Sequence, residues 1–206
     1  MANGCCNKEK ILRVATDLFY RKGYRATSLD EVLSASGVSK SNFYYHYKSK
    51  EHLGLAVLEE RLCNFSRSLG ETLKDGSRPP KERLAAFFDN IAQEQLQVLN
   101  KGGCPFGNLS VEMSEHNDLF RCRIADVFRQ LQDELAQCLQ AGMGTGDFRD
   151  DLPVDDTALF LLATWQGMLV LTKTSKSLSP YLSVSKVFRQ LLSNETLAIS
   201  DKLPTQ

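Results

Sequence analysis

Apolar positions recur every three to four residues along most of this chain, with polar residues between them, a pattern that predicts helices rather than strands. From Asn7 the run KEKILRVATDLFYRKGY sets Ile11, Ala15, Leu18 and Phe19 on one side, with Leu12 and Val14 beside them, while Lys10, Arg13, Asp17 and Arg21 fall elsewhere. This is an amphipathic helix of about four turns. Residues 1–6 are small and polar and are expected to be disordered. Gly23 supplies the stop, because a residue without a Cβ enters the left-handed region cheaply. A second helix opens at Ser28, with Glu31 three residues on as a capping box, and turns Leu29, Val32 and Leu33 inward beside a small Ala35. Ala35-Ser36-Gly37-Val38 is the short glycine turn that lets two helices cross steeply.

The third helix starts from Ser39 as N-cap and is too short to be stable without tertiary packing. Phe43 and Tyr47, one helical turn apart, are assigned to its buried side. That leaves Lys40, Ser41, Asn42, Tyr44 and His46 outward. A helix presenting donors, acceptors and a ring in this way suits a DNA major groove, where polar side chains read base edges and apolar groups touch thymine methyls.

A fourth helix runs from Ser49 to about Lys74, roughly seven turns, and links whatever precedes it to whatever follows. Asp75 to Pro80 is turn chemistry. The remainder is helical by the same periodicity: 81–99, a short helix over 106–115, a long one from Asn117 or Asp118 to Ala141 broken by Gly142 to Gly146, then 156–173 and 181–193. The last two are apolar nearly all round, which implies burial on both sides. A second copy of the chain is the natural cover, in a four-helix bundle with two helices from each subunit. Leu161, Leu162, Leu169, Val184, Phe188, Leu191 and Leu192 are the expected dimer contacts. The fold class is therefore all-α, with a helix-turn-helix head at residues 1–50 and a larger helical, dimerising body at 51–206.

The formal net charge of zero conceals an asymmetry that changes this picture: residues 1–50 carry nine Lys and Arg against four Asp and Glu, leaving sixteen against 21 in the rest. A basic head on an acidic body points to a polyanion met by the head alone. No run approaches eighteen consecutive apolar residues and the first ten lack an apolar stretch, so a cytoplasmic protein with no membrane partner is expected.

The residues from Gly37 to Leu53, GVSKSNFYYHYKSKEHL, resemble the head of the TetR family of transcriptional regulators, whose pattern is roughly G-V-S-x-x-x-[LIF]-Y-x-[HY]-[FY]-x-x-K-x-x-L. The likeness extends back through Thr27-Ser28 and Leu18-Phe19 to Gly23, about the first fifty-five residues; Val32-Leu33, where Ile-Ala is commoner, is a packing change. The resemblance implies that Lys40, Ser41 and Asn42 read base edges, that Tyr44 presents its ring to the DNA, and that Ser28 lies near the operator backbone, with Ser39 and His46 flanking. It implies that Lys50 contacts a phosphate, aided by the helix N-terminus behind it. It further implies a homodimer on a palindromic double-stranded DNA operator and a small apolar or amphipathic effector in the body, acting to release a repressor. No enzymatic activity, metal or cofactor is expected.

For the effector pocket, Phe65, Leu69, Phe87, Phe88, Ile91, Phe106, Leu109, Met113, Phe120, Trp165 and Met168 are candidates between helices, where bundles usually form cavities, although each also suits a filled core. Glu112, Glu115 and His116 read as a solvated face rather than a metal site. Six cysteines without a CxxC spacing are expected to be free thiols, with Cys63, Cys122 and Cys138 as small apolar helix residues. Cys104 stands apart, in a glycine loop before a helix, where amide donors and the helix dipole would lower its pKa. A thiol-based redox switch at Cys104 is thus the alternative mode of regulation.

Overall fold

The computed structural model describes residues 2–97 and 102–193, with the side chains of residues 2–6 left aside. Nine helices and no strand occur among those residues: α1 (Ala2–Lys22), α2 (Leu29–Ser36), α3 (Lys40–His46), α4 (Lys50–Glu71), α5 (Pro80–Gln97), α6 (Pro105–Met113), α7 (Asp118–Thr145), α8 (Val154–Ser175) and α9 (Ser179–Leu192). The first helix therefore begins at Ala2 rather than Asn7, so the expected disorder of residues 2–6 is not seen in the backbone. The end of the expected 81–99 helix and the start of its loop, residues 98–101, lie outside the described residues.

The head is built as its sequence chemistry requires. Ile11, Ala15 and Phe19 of α1 are buried against Val32, Val38, Phe43 and Tyr47, and α1 ends at Gly23 with φ +92°. Ser28 and Glu31 form the full capping box of α2. Gly37 takes φ +62°, and the Val38 amide reaches back to the Leu33 carbonyl at 3.3 Å. Only glycine adopts that conformation without a Cβ penalty, so the crossing of α2 and α3 is set by one residue. Ala35 is exposed, and it is Ser36 that is buried in the turn, its hydroxyl donating to the Leu33 carbonyl at 3.2 Å. Phe43 and Tyr47 are buried as expected, with ring centroids 5.8 Å apart. Each such side chain contributes about 1.5–3 kcal/mol on leaving water, enough to hold a two-turn helix with no independent stability.

In the body, α7 packs along α8, with α5 and α9 alongside and α6 against α7. Gly142 does not break α7, which continues to Thr145 and stops at Gly146 in the left-handed conformation. A Cβ on Gly142 would stand 2.1 Å from the Phe148 ring, so its role is to admit that ring. Phe87 meets Trp165 at 5.9 Å, Phe88 meets Phe188 at 5.7 Å, and the Tyr181 hydroxyl donates to the Phe88 carbonyl at 2.7 Å.

The expected dimer contacts need correction. Leu161, Leu162, Leu169, Phe188 and Leu192 are buried inside the subunit's own core, Val184 is half-buried, and only Leu191 is exposed. The apolar residues left in water lie on the opposite faces: Leu159, Phe160, Val170 and Leu171 on α8, and Leu182, Val187 and Leu191 on α9. On helices apolar all round, periodicity reveals that both sides are covered without telling which side faces home. Among the described residues α8 is also the one helix long and apolar enough to cross a membrane by length and composition; here its inner face is a bundle core.

Candidate nucleic-acid interface and effector cavity

The outward face of α3 is made by the N-cap and the first turn. Ser39 accepts from the Asn42 amide at 3.3 Å and its hydroxyl lies 3.2 Å from that of Ser41. Lys40 and Ser41 are exposed, and Tyr44 is 50% exposed with its ring edge-on to buried Phe43 at 5.3 Å. Phe43 thereby fixes the ring that faces water. Asn42 and His46, expected outward, are half-buried: the Asn42 Oδ1 and the His46 Nε2 are buried without a hydrogen-bond partner, and the His46 ring stacks edge-on to Tyr45 at 4.9 Å. Tyr45 is 81% exposed, more than Tyr44, the ring singled out from the sequence. Its signal was present, since a phenylalanine and two tyrosines in succession on a helix of seven residues cannot all share one buried face.

Ser28 is exposed at the start of α2, its hydroxyl engaged by the Glu31 amide at 3.1 Å. Lys50 stands differently from its neighbours. It opens α4, but its ammonium rests 4.4 Å from the centroid of the Tyr24 ring. Burial lowers its pKa below the usual lysine value, against the opposing pull of Glu112 and Glu31. In this conformation its charge is spent partly on the protein itself.

A cavity of about 490 Å³ opens between α1, α4, α5, the α6 entry and α8. Phe65, Ile91, Phe106 and Trp165 line it, as the sequence suggested. The other candidates are elsewhere. Leu69, Phe87, Met113 and Met168 are buried in the core, Leu109 is half-buried on α6, and Phe88 borders a separate cleft of about 90 Å³ with Phe148 and Phe188. Phe120 packs instead on Tyr24, ring centroids 5.3 Å apart. The sequence missed the polar wall: Arg13, Thr16 and Tyr20 come from α1, and Arg61 and Glu94 from α4 and α5.

Cys104 lines the cavity and is only 5% exposed. Burial pushes its thiol pKa up and outweighs the amide donors of Gly107 and Phe106 and the Gln166 side chain, which pull it down. The expected lowering at the helix start is thus reversed, because a thiolate there loses more hydration than two amides restore. Cys138 is also buried, whereas Cys63 and Cys122 are exposed, contrary to their expected apolar role; Cys5 and Cys6 lie outside the described side chains.

Comparison with known proteins agrees with both halves of this arrangement. Residues 11–57 match the model for bacterial regulatory proteins of the tetR family, and residues 80–188 match a Tetracyclin repressor-like C-terminal domain. Over 188 residues the chain is 34% identical to the HTH-type transcriptional repressor DhaR of Mycobacterium sp. (strain GP1), covering 90% of this chain and 92% of that protein. The chain belongs to the TetR family. It is 26% identical to the HTH-type transcriptional repressor NemR of Escherichia coli (strain K12), over 84% of this chain and 87% of that one. The crystal structure of a regulatory protein TetR from Rhodobacter sphaeroides superposes with a TM-score of 0.83 at 28% identity, covering 89% of this chain and 97% of that one. This TetR-family chain is accordingly a DNA-binding transcriptional regulator and not an enzyme.

In this TetR-family member the head and body meet at a joint the sequence did not reveal. Gly54 of α4 lies under the Tyr24 and Phe120 rings, where a Cβ would stand 2.6 Å from one and 2.8 Å from the other. Around this point Glu112 accepts from the Arg25 amide at 3.1 Å, and His116 Nε2 lies 2.6 Å from the Arg25 guanidinium. Asn117 donates to Glu51 at 2.7 Å, and Arg123 grips Glu59 through two bonds of 2.5 and 2.7 Å. Glu112 and His116, read from the sequence as a solvated face, bind the head. A glycine in mid-helix costs about 1 kcal/mol relative to alanine, and that cost was the sequence signal for a close approach at Gly54.

Proposed function

We propose that this protein is a repressor that binds as a homodimer to a palindromic operator and is released by a small apolar or amphipathic effector. The reading rests on one arrangement: a polar and aromatic face on α3 that the fold leaves outward, joined through α4 to a body whose cavity is walled partly by the head itself. Residues 1–50 form the head and 51–206 the body in this account. Lys40, Ser41, Asn42 and Tyr44 read the groove, Ser28, Ser39 and His46 lie beside them, and Lys50 swings from Tyr24 to a phosphate. The repressor names of DhaR and NemR support the sign of regulation. The exposed apolar faces of α8 and α9 support the dimer, whose two-fold axis sets the recognition helices about one DNA turn apart or somewhat more. Effector in the cavity favours one arrangement of the two heads over another, and switching needs about 3–5 kcal/mol of differential affinity.

Selection of bound duplexes from a random DNA pool tests this reading, with a palindrome as the expected product. On that duplex Lys50→Ala weakens binding to all sequences and lowers the salt slope by about one, while Asn42→Ala costs about 1–3 kcal/mol at one base pair of each half-site. Parent-like binding by both variants removes the groove assignment. The burial of Cys104 and its raised pKa weigh against the thiol alternative.

A further inference from the structure

The polar wall of the cavity specifies more than a generic apolar guest. Arg61 reaches the cavity from α4 with its guanidinium 5.1 Å from the Tyr20 ring centroid, and it makes no salt bridge among the described residues. Two cations, Arg13 and Arg61, and two carboxylates, Asp17 and Glu94, lie on the wall. Asp17 is already answered by Arg21 at 2.5 Å. With Asp17 so answered, the two arginines face Glu94 alone, whose carboxyl Arg61 pulls down against the effect of burial, and the wall keeps one net positive charge. Opposite it the floor is aromatic, formed by Phe65, Phe106 and Trp165, with Phe65 and Phe106 edge-on at 5.5 Å. The indole Nε1 of Trp165 is buried and has no acceptor. The Tyr20 hydroxyl, beside Arg61, donates to the Gly103 carbonyl at 3.1 Å, and the Gly103 amide donates to Gln95 at 3.0 Å. The charged end of the cavity is thus the place where α1 is tied to the loop before α6.

We propose that the cavity takes an amphipathic monoanion, an aryl or alkyl carboxylate, whose head group pairs with Arg61 beside Tyr20 while its apolar body lies on Phe65, Phe106 and Trp165. This rests on the reading of the cavity as the effector site. A carboxylate suits Arg61 because the guanidinium offers a planar pair of donors, and the partly desolvated wall strengthens the contact. A volume near 490 Å³ accommodates a small ligand rather than a large cofactor. Because the head group sits against Tyr20, its arrival is felt by α1 directly.

Trp165 is the chain's single tryptophan, so its emission reports the cavity. Full-length protein is titrated without DNA against 4-phenylbutyrate, 4-phenylbutanol and 4-phenylbutylamine, which share one apolar body. The carboxylate is expected to bind at least about tenfold tighter than the alcohol, equivalent to about 1.4 kcal/mol, and the amine weaker than either. In Arg61→Gln the advantage of the carboxylate over the alcohol falls to about twofold or less while alcohol binding is kept, and Arg61→Lys retains part of it. Equal binding of the three compounds, no change in Trp165 emission with any of them, or an advantage that survives Arg61→Gln overturns the proposal. A second titration, of the protein on its selected operator, separates the two readings. If the preference holds but phenylbutyrate leaves the operator bound, the anion site stands and release by effector fails.

Discussion

At the scale of single residues, burial decides what a side chain can do, and the cysteines show it. Cys138 donates to the Pro80 carbonyl at 3.4 Å, and burial raises its pKa to about 11 from the ordinary thiol value of 9.0. The folded state keeps this proton where the unfolded chain gives it up. Stability from this group is therefore fully present below pH 9 and declines as pH rises from 9 to about 11. The loss approaches about 2–3 kcal/mol at the top of that range. Chemical denaturation across pH 8 to 11 should show Cys138→Ala less stable than the parent at pH 8, from the lost packing, with a shallower decline above pH 9. Burial of Tyr24, whose pKa is raised to about 12, adds its own slope from pH 10 upward and is unaffected by the variant. An identical alkaline slope in parent and variant removes the Cys138 assignment.

At the scale of elements, the helices were legible where local chemistry alone specifies them. The Ser28–Glu31 box, the Ser39 cap, Gly37 and the Phe43–Tyr47 pair are each written within a few residues, and all are found in place. What could not be read was which neighbour an element meets. Gly142 looked like a stop because the ring that occupies its missing Cβ, Phe148, belongs to the following turn. Phe120 looked like a pocket residue because its partner, Tyr24, is nearly a hundred positions away in the head. The cavity's polar wall was invisible for the same reason, since α1 joins it only in the folded chain. Two glycines of α4 turn this into a measurement. Gly70 has no atom within 4 Å of a Cβ built on it, whereas at Gly54 the Cβ meets two rings held by packing. Gly70→Ala should leave the melting temperature unchanged or raise it by up to about 2–4 °C, because helix propensity improves without a clash. Gly54→Ala should lower it, the forced shift of the rings costing about 1–3 kcal/mol against that gain. It should also change operator affinity, because the joint orients the head. Equal thermal effects at the two sites dispose of the close-packed joint.

On the scale of the whole molecule, the subunit leaves two neighbouring helices with apolar outer faces, and this has an energetic consequence. Leu159, Phe160, Val170 and Leu171 of α8 and Leu182, Val187 and Leu191 of α9 are each 39 to 62% exposed, so folding recovers only part of what their burial would contribute. A second copy laid on this surface recovers it, and a two-fold related pair of helices is the closed way to do so. The inner and outer faces then respond differently to the same insult. Leu171 is exposed and Leu169 is 2% exposed, two positions apart on one helix. Leu171→Glu should give a folded monomer with native helical content by circular dichroism and a halved mass in sedimentation. Its affinity for a palindromic duplex should fall toward that for a single half-site. Leu169→Glu should lower stability by several kcal/mol and lose helical content, because its carboxylate is forced into the subunit core without a partner. A folded, dimeric Leu171→Glu would place the partner on another surface and leave the outer face of α8 unexplained. A folded Leu169→Glu monomer would return the dimer contact to the side that periodicity first suggested.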